Sequence, residues 1–270
     1  MRAGSENSVR DEPRPSSTVM LIRDGAAAPE ILMLKRHINS AFGDVYVFPG
    51  GVVDPCDTNV HDCCDSLCAD DANSMLGTSD ALCFFSAAIR ELFEETGVLL
   101  ARPGPGNADG ENVARADMEQ ARHQLIHGEL TWDRFVRERK LVLGSRALHY
   151  FAHWVTPQSE PKRFSTRFFV ATIPAGQVAS HDGCELTDSC WKTANEVLAA
   201  QESGQMRLIY PTWRTLGDIA NFGTADDIVA WADDRQRSGV ARVLPAIIDV
   251  DGEDKVVLPG DPRYPDSLLA

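Results

Sequence analysis

Two nearly continuous apolar runs open the chain. Residues 17–23 (STVMLIR) and 30–36 (EILMLKR) read as strands covered on both faces, since a strand with one wet face would alternate. The small, turn-prone residues 24–29 join them. Residues 45–48 form a short extended piece that Pro49, Gly50 and Gly51 end, two glycines permitting a sharp turn. Residues 54–79 are rich in aspartate and nearly free of aromatics, which predicts a loop with one short helix. From 79 to 96 the period becomes helical. Phe85, Ala88, Ile89, Leu92 and Thr96 share one side, Glu91, Glu94 and Glu95 another, and Gly97 stands at the C-cap. Helices follow over 113–128 and 131–140, the second with Thr131 as a partial cap. Residues 147–156 and 163–173 predict an aromatic-rich β-hairpin, and 185–192 another strand. Helices over 194–201, 211–220 and 225–236 and a last strand over 242–249 complete the chain. No internal repeat or linker interrupts it. The expectation is a disordered tail over 1–15 and a single α/β domain over 16–270.

Charge narrows the choice of partner. The net charge of −14 argues against nucleic acid held on a basic surface. It does not argue against a phosphorylated small molecule, because bound cations reverse the local field. No run of 18 apolar residues exists and the first residues are polar, so no membrane span or signal peptide is expected and the cytoplasm follows by default. Seven cysteines do not form a secreted disulfide pattern. Four of them, Cys56, Cys63, Cys64 and Cys68, lie near His61 and raise the question of zinc. A single irregular cluster without a second ligand pair favours free thiols.

The candidate chemistry lies on the helix over 79–96. Carboxylates at i, i+3 and i+4 are neighbours and repel, and Arg90 alone is near enough to offset them locally. A site for a hard cation such as Mg2+ would remove the repulsion; a solvated acidic face is the plain alternative. The run Arg90-Glu91-Leu92-Phe93-Glu94-Glu95-Thr96-Gly97-Val98, preceded by Phe48-Pro49-Gly50-Gly51, resembles the box of the Nudix hydrolases, G-x5-E-x7-R-E-U-x-E-E-x-G-U with U apolar. Every fixed position of the second half is present. The first half departs in spacing. Arg90 stands 39 positions after Gly51 where the box has 14, so 25 residues are inserted, and Leu82 occupies the place of the glutamate eight before Arg90. The wider pattern also includes HWVTP, RFSTRFFVA and the late LPGD (258–261), and is similar to the acyl-CoA diphosphatase branch of that family.

This resemblance implies a Nudix α/β/α sandwich with a mixed sheet, helical additions and a long insertion inside the box. It implies Mg2+- or Mn2+-dependent cleavage of a diphosphate, CoA or acyl-CoA first, yielding 3',5'-ADP and (acyl-)4'-phosphopantetheine. Glu91 and Glu95 resemble metal ligands, Glu94 a ligand or the general base, and Arg90 the residue that orients them. The carbonyl of Gly50 or Gly51 is a further candidate ligand, and Glu185 a candidate acid outside the box. For substrate, Arg36, Phe48 and Arg167 are the candidates, with Arg163 as a further phosphate-binding arginine. Trp154, Phe164, Phe168 and Phe169 are weighed as an acyl or adenine pocket against ordinary core. His149 and His153, four apart on a strand, are expected to share a face, and structural roles are favoured over proton transfer. Two alternatives stay open: hydrolysis of ADP-ribose or NADH, and a silent nucleotide-binding sensor. The expected partner is a CoA-like small molecule, and a homodimer is left open.

Overall fold

The computed structural model describes residues 12–37, 44–105, 115–181 and 186–268, without the side chains of 115 and 116. Its centre is an eight-stranded mixed sheet. The strands are β1 (Arg14–Arg23), β2 (Glu30–Arg36), β3 (Tyr46–Val47), β4 (Gly50–Val52), β7 (His149–Val155), β8 (Phe164–Thr172), β9 (Leu186–Thr193) and β10 (Arg242–Val243). The order is β10-β7-β8-β1-β2-β3, with β4 also on β1 and β9 also on β2. β1 runs parallel to β8 and antiparallel to β2 and β4. Its central position explains the unbroken apolar run: Val19 and Leu21 enter one core while Met20 and Ile22 enter another.

Helices cover both faces. On one side lie α2 (Ala69–Leu76), α3 (Leu82–Thr96), α4 (Arg115–Ile126) and α5 (Trp132–Glu138). Phe85, Ile89 and Leu92 of α3 pack there with Trp132 and Phe135 of α5. On the other lie α6 (Ala194–Glu202), α7 (Tyr210–Ile219) and α8 (Ala225–Ser238), which seal Met20, Ile31 and Val170. This is the α/β/α sandwich the sequence implies. The expected tail over 1–15 is part of the described chain from residue 12 onward, and β1 begins at Arg14.

Several elements differ from the sequence reading. The stretch 54–79 is more ordered than a loop with one helix. It holds α1 (Pro55–Thr58), a 3-10 turn (His61–Cys63) and α2. Asp54 caps α1 in a reciprocal capping box with Asp57, behind Pro55 at the first helical position. The last expected strand is split at Leu244-Pro245, since proline has no N–H for a ladder. β11 (Ala246–Val250) then pairs with β12 (Glu253–Val257) in a separate hairpin that the sequence reading lacked. A second two-stranded piece, β5 (Ala101–Pro103) with β6 (Leu141–Leu143), was also unforeseen. β7 carries a register shift between Tyr150 and Ala152. Such a bulge turns the residues beyond it to the opposite face.

Candidate active site

The site forms where β4 passes beneath the last turns of α3. Gly51 pairs with Ser17 of β1. A Cβ on Gly51 would lie 2.5 Å from Cδ of Glu91, so glycine is what allows strand and helix carboxylate to meet. The neighbouring N–H of Gly50 donates to Glu95 Oε2 at 2.8 Å. At the end of α3, Gly97 adopts φ +73 and donates to the carbonyl of Phe93, which closes the helix directly after Glu95 and Thr96.

Arg90 holds the cluster together. It is 7% exposed, and its guanidinium is used on three sides. Nη1 donates to Glu91 Oε1 at 2.9 Å and to Glu94 Oε2 at 3.2 Å. Nη2 donates to the carbonyl of Val52 at 2.9 Å. Nη2 and Nε together grip Asp57, at 3.0 Å to Oδ2 and 3.2 Å to Oδ1. Burial alone would lower the pKa of Arg90; the charges of Glu91, Asp57 and Glu94 outweigh it and hold it above its usual value.

Asp57 is the functional residue that the sequence reading missed. Counting back from Arg90 leads to Leu82, which is 4% exposed in the core at the start of α3. Counting forward from Gly51 by the G-x5-E spacing leads to Asp57, and the insertion follows it. Asp57 is fully buried and accepts four further or shared donors: both Arg90 bonds, the Asp54 N–H at 2.8 Å and Ser86 Oγ at 3.0 Å. Ser86 accepts in turn from Trp132 Nε1 at 3.0 Å. The supporting ion pair is therefore present with a shorter acid, and the signal was the six-residue step from Gly51.

Burial pushes the Glu94 carboxyl up to about 7, against the pull of Arg90 and with the help of the Glu91 charge. Glu91, Glu94 and Asp57 share the one guanidinium of Arg90, so this cluster carries more negative than positive charge. Among the described residues no three or more His, Cys, Asp and Glu side chains stand gathered as a ready metal cage. The all-oxygen donor set and its excess of negative charge nevertheless suit a hard divalent cation.

Glu91, Glu94 and Glu95 form one wall of a cavity of about 1040 Å³. Gly50, Gly51, Arg36 and Phe48 also line it, as do Trp154, Phe164 and Phe168. Arg14 and Arg163 add positive charge, the latter donating to the carbonyl of Thr156 at 3.2 Å.

Other expected residues lie elsewhere. Arg167, expected to bind phosphate, is not among the lining residues. It is 6% exposed on the opposite face of β8, 4.8 Å over the ring of Phe84, with Nη1 donating to His153 Nε2 at 2.6 Å. Odd and even positions of β8 face opposite sides, which also places Phe169 in the α3 core while Phe168 lines the cavity. His149 and His153 do not share a face. The bulge separates them: His149 meets Asp233 of α8 at 2.7 Å, and His153 turns towards Arg167 on the other side. Burial, with the Arg167 charge adding, pushes His153 down to about 3. Among the described cysteines, Cys56, Cys63, Cys64, Cys68, Cys83 and Cys190 are free thiols. Burial raises Cys56 to about 12 and Cys64 to about 11, which opposes the thiolate form zinc needs. Glu185 lies outside the described residues. Among the described residues no helix is long and apolar enough to cross a membrane.

Comparison with known proteins bears on the fold and the family. Residues 65–218 match the family described as the NUDT19 Nudix domain. An acyl-coenzyme A diphosphatase NUDT19 of Xenopus laevis is 27% identical over 88% of this chain and 72% of its own length. The protein of the same name from Gallus gallus is 28% identical over 88% of this chain and 73% of its own. The crystal structure of a NUDIX hydrolase from Alicyclobacillus acidocaldarius superposes with a TM-score of 0.63 at 26% identity, covering 81% of this chain and 96% of that one. The family match spans more than half of the chain and includes the helix that carries Arg90 and the three glutamates, and the chain belongs to the Nudix hydrolases, in the NUDT19 Nudix domain family.

Proposed function

We propose that this hydrolase splits the diphosphate of CoA or acyl-CoA, releasing 3',5'-ADP and 4'-phosphopantetheine or its acyl form. The observation that carries the reading is the carboxylate wall of Glu91, Glu94 and Glu95 on one side of a cavity large enough for a nucleotide and a pantetheine arm. The Xenopus and Gallus relatives, named as acyl-coenzyme A diphosphatases, support the choice of substrate.

Glu91, Glu94 and Glu95 would hold Mg2+ or Mn2+, with the Gly51 carbonyl as a further donor. Such an ion supplies charge for the diphosphate oxygens and a more acidic bound water. Arg90 keeps Glu91 and Glu94 apart and aimed at the cavity, and Asp57 keeps Arg90 from swinging out. Glu94, on the same wall as Glu91 and held by the same guanidinium, is assigned as a third ligand or as the base that takes a proton from water. Water oxygen bonds to one phosphorus, the bridging P–O bond breaks, and the electron pair leaves with the other phosphate. Arg36 and Phe48 line the cavity and are assigned to substrate, the first to a phosphate and the second to an apolar surface.

The test is mass-spectrometric product analysis with CoA, an acyl-CoA, ADP-ribose and NADH, in Mg2+ and in EDTA. The expected result is 3',5'-ADP in Mg2+ alone, and a loss of about 10³-fold or more in Glu94→Gln, on the scale of a lost general base. AMP from ADP-ribose or NADH, with no product from CoA, would move the substrate. Tight binding without any product would indicate a sensor.

A further inference from the structure

The described residues include three large hydrophobic side chains that are clearly exposed: Val178, Trp213 and Val256. Two of them adjoin the cavity. Val256, 39% exposed, lines it directly. Trp213, 43% exposed, packs at 5.6 Å on Tyr210, which lines it and meets Trp154 edge-on at 5.9 Å.

The β11–β12 hairpin explains why Val256 is bare. Ala246 and Val257 pair across the strands and pack on Tyr264, forming a small core of their own. The hydroxyl of Tyr264 ties that core to the carbonyl of Leu244 at 2.7 Å. One residue along, Ile247 pairs directly with Val256, and alternation turns both to the opposite face. Among the described residues neither of the two packs into a hydrophobic core, and both line the cavity. The same hairpin carries Asp249 opposite Asp254, so only the Ile247–Val256 pair nearest the cavity is apolar on this face. A strand pair with a core on one face calls for polar residues on the other. Ile247 and Val256 break that rule where the hairpin borders the cavity.

We propose that the Ile247–Val256 pair, with Tyr210 and Trp213, forms the groove that takes the acyl chain of an acyl-CoA substrate. This rests on the proposed CoA reading and goes beyond it by placing the acyl end. The continuity of the apolar surface with the cavity argues for the substrate's own tail as occupant, since Tyr210, Ile247 and Val256 line the cavity and Trp213 packs on Tyr210. The groove makes the enzyme favour longer acyl chains, because each methylene leaves water as it enters.

The experiment compares kcat/KM for dodecanoyl-CoA and CoA in the wild type, in the double variant Ile247→Thr/Val256→Thr, and in Val178→Thr. Threonine keeps the β-branch and the strand preference while a hydroxyl replaces a methyl of Val256 and the ethyl of Ile247. The expected result is a fall of about tenfold in the dodecanoyl-CoA to CoA ratio for the double variant, and the wild-type ratio for Val178→Thr. An unchanged ratio in the double variant, or an equal fall for both substrates, overturns the inference. Calorimetric binding of both compounds in EDTA is the second readout. Absence of turnover in the wild type defeats the proposed reaction, whereas the groove stands or falls on whether the double variant loses the tighter binding of dodecanoyl-CoA.

Discussion

Asp57 shows how much one side chain can carry. A carboxylate with no exposure and an Arg90 at 7% form a pair that neither partner can leave cheaply. Breaking a buried pair strands the remaining charge, at a cost of about 3–5 kcal/mol. Asp57→Asn is therefore expected to lower unfolding stability by roughly 3 kcal/mol, measured by urea denaturation, because the amide turns donors towards the guanidinium. It is also expected to lower kcat, since Arg90 then shifts towards Glu91 and Glu94. Intact stability and turnover in Asp57→Asn would remove the pair from the machinery. Gly51 matters for the opposite reason: its lack of a Cβ is what brings β4 up to Glu91.

At the scale of the element, α3 is useful only while its position is fixed. Ser17 Oγ donates to the carbonyl of Phe84 at 2.7 Å near its start, and Trp132 of α5 reaches Ser86 one turn on. At its end, Arg122 of α4 donates from Nε to the carbonyl of Glu94 at 2.9 Å and from Nη2 to the carbonyl of Ser180 at 2.9 Å. A cation on the last carbonyls also favours the helix dipole. Arg122→Met is expected to cost about 2 kcal/mol, as charged hydrogen bonds of this kind contribute about 1.5–3 kcal/mol each before the retained packing is counted. Because Glu94 and Glu95 sit on that turn, kcat should fall further than KM rises. A loss confined to stability would make Arg122 a brace and nothing more.

At the scale of the whole molecule, acid should destabilise the fold through His153. Its pKa of about 3 in the fold lies below the ordinary 6.5, so between these values the unfolded chain binds a proton that the folded chain refuses. Stability is then full above pH 6.5 and falls as pH drops, by up to about 1.4 kcal/mol per unit, or roughly 2 kcal/mol between pH 6.5 and 5. His153→Gln is expected to flatten that part of the stability curve, read from urea midpoints across pH. An equal slope in the variant would assign the acid sensitivity to other groups. Burial sets the direction, and the buried Arg167 adds to it, since a second positive charge there would face a guanidinium at 2.6 Å.

Period and local chemistry sufficed for much of this protein. The apolar runs of β1 and β2, the helical stripe of α3, its Gly97 cap and the three glutamates on one side are all written in neighbouring residues, where alternation and caps act. Family resemblance in those same residues was enough to imply the layered fold and the box. What lay beyond neighbouring residues was decided by the tertiary structure. The insertion displaces Asp57 from Arg90 by 33 positions in sequence and returns it to 3.0 Å in space, which no helical spacing could announce. A bulge in β7 sends His149 and His153 to opposite faces, and the parity of β8 takes Arg167 away from the cavity. Pro245 splits the last strand and frees the hairpin that brings Ile247 and Val256 to the cavity. Side-chain type and period are set locally, whereas which face a strand presents and which distant acid meets Arg90 depend on register and packing across the whole sheet.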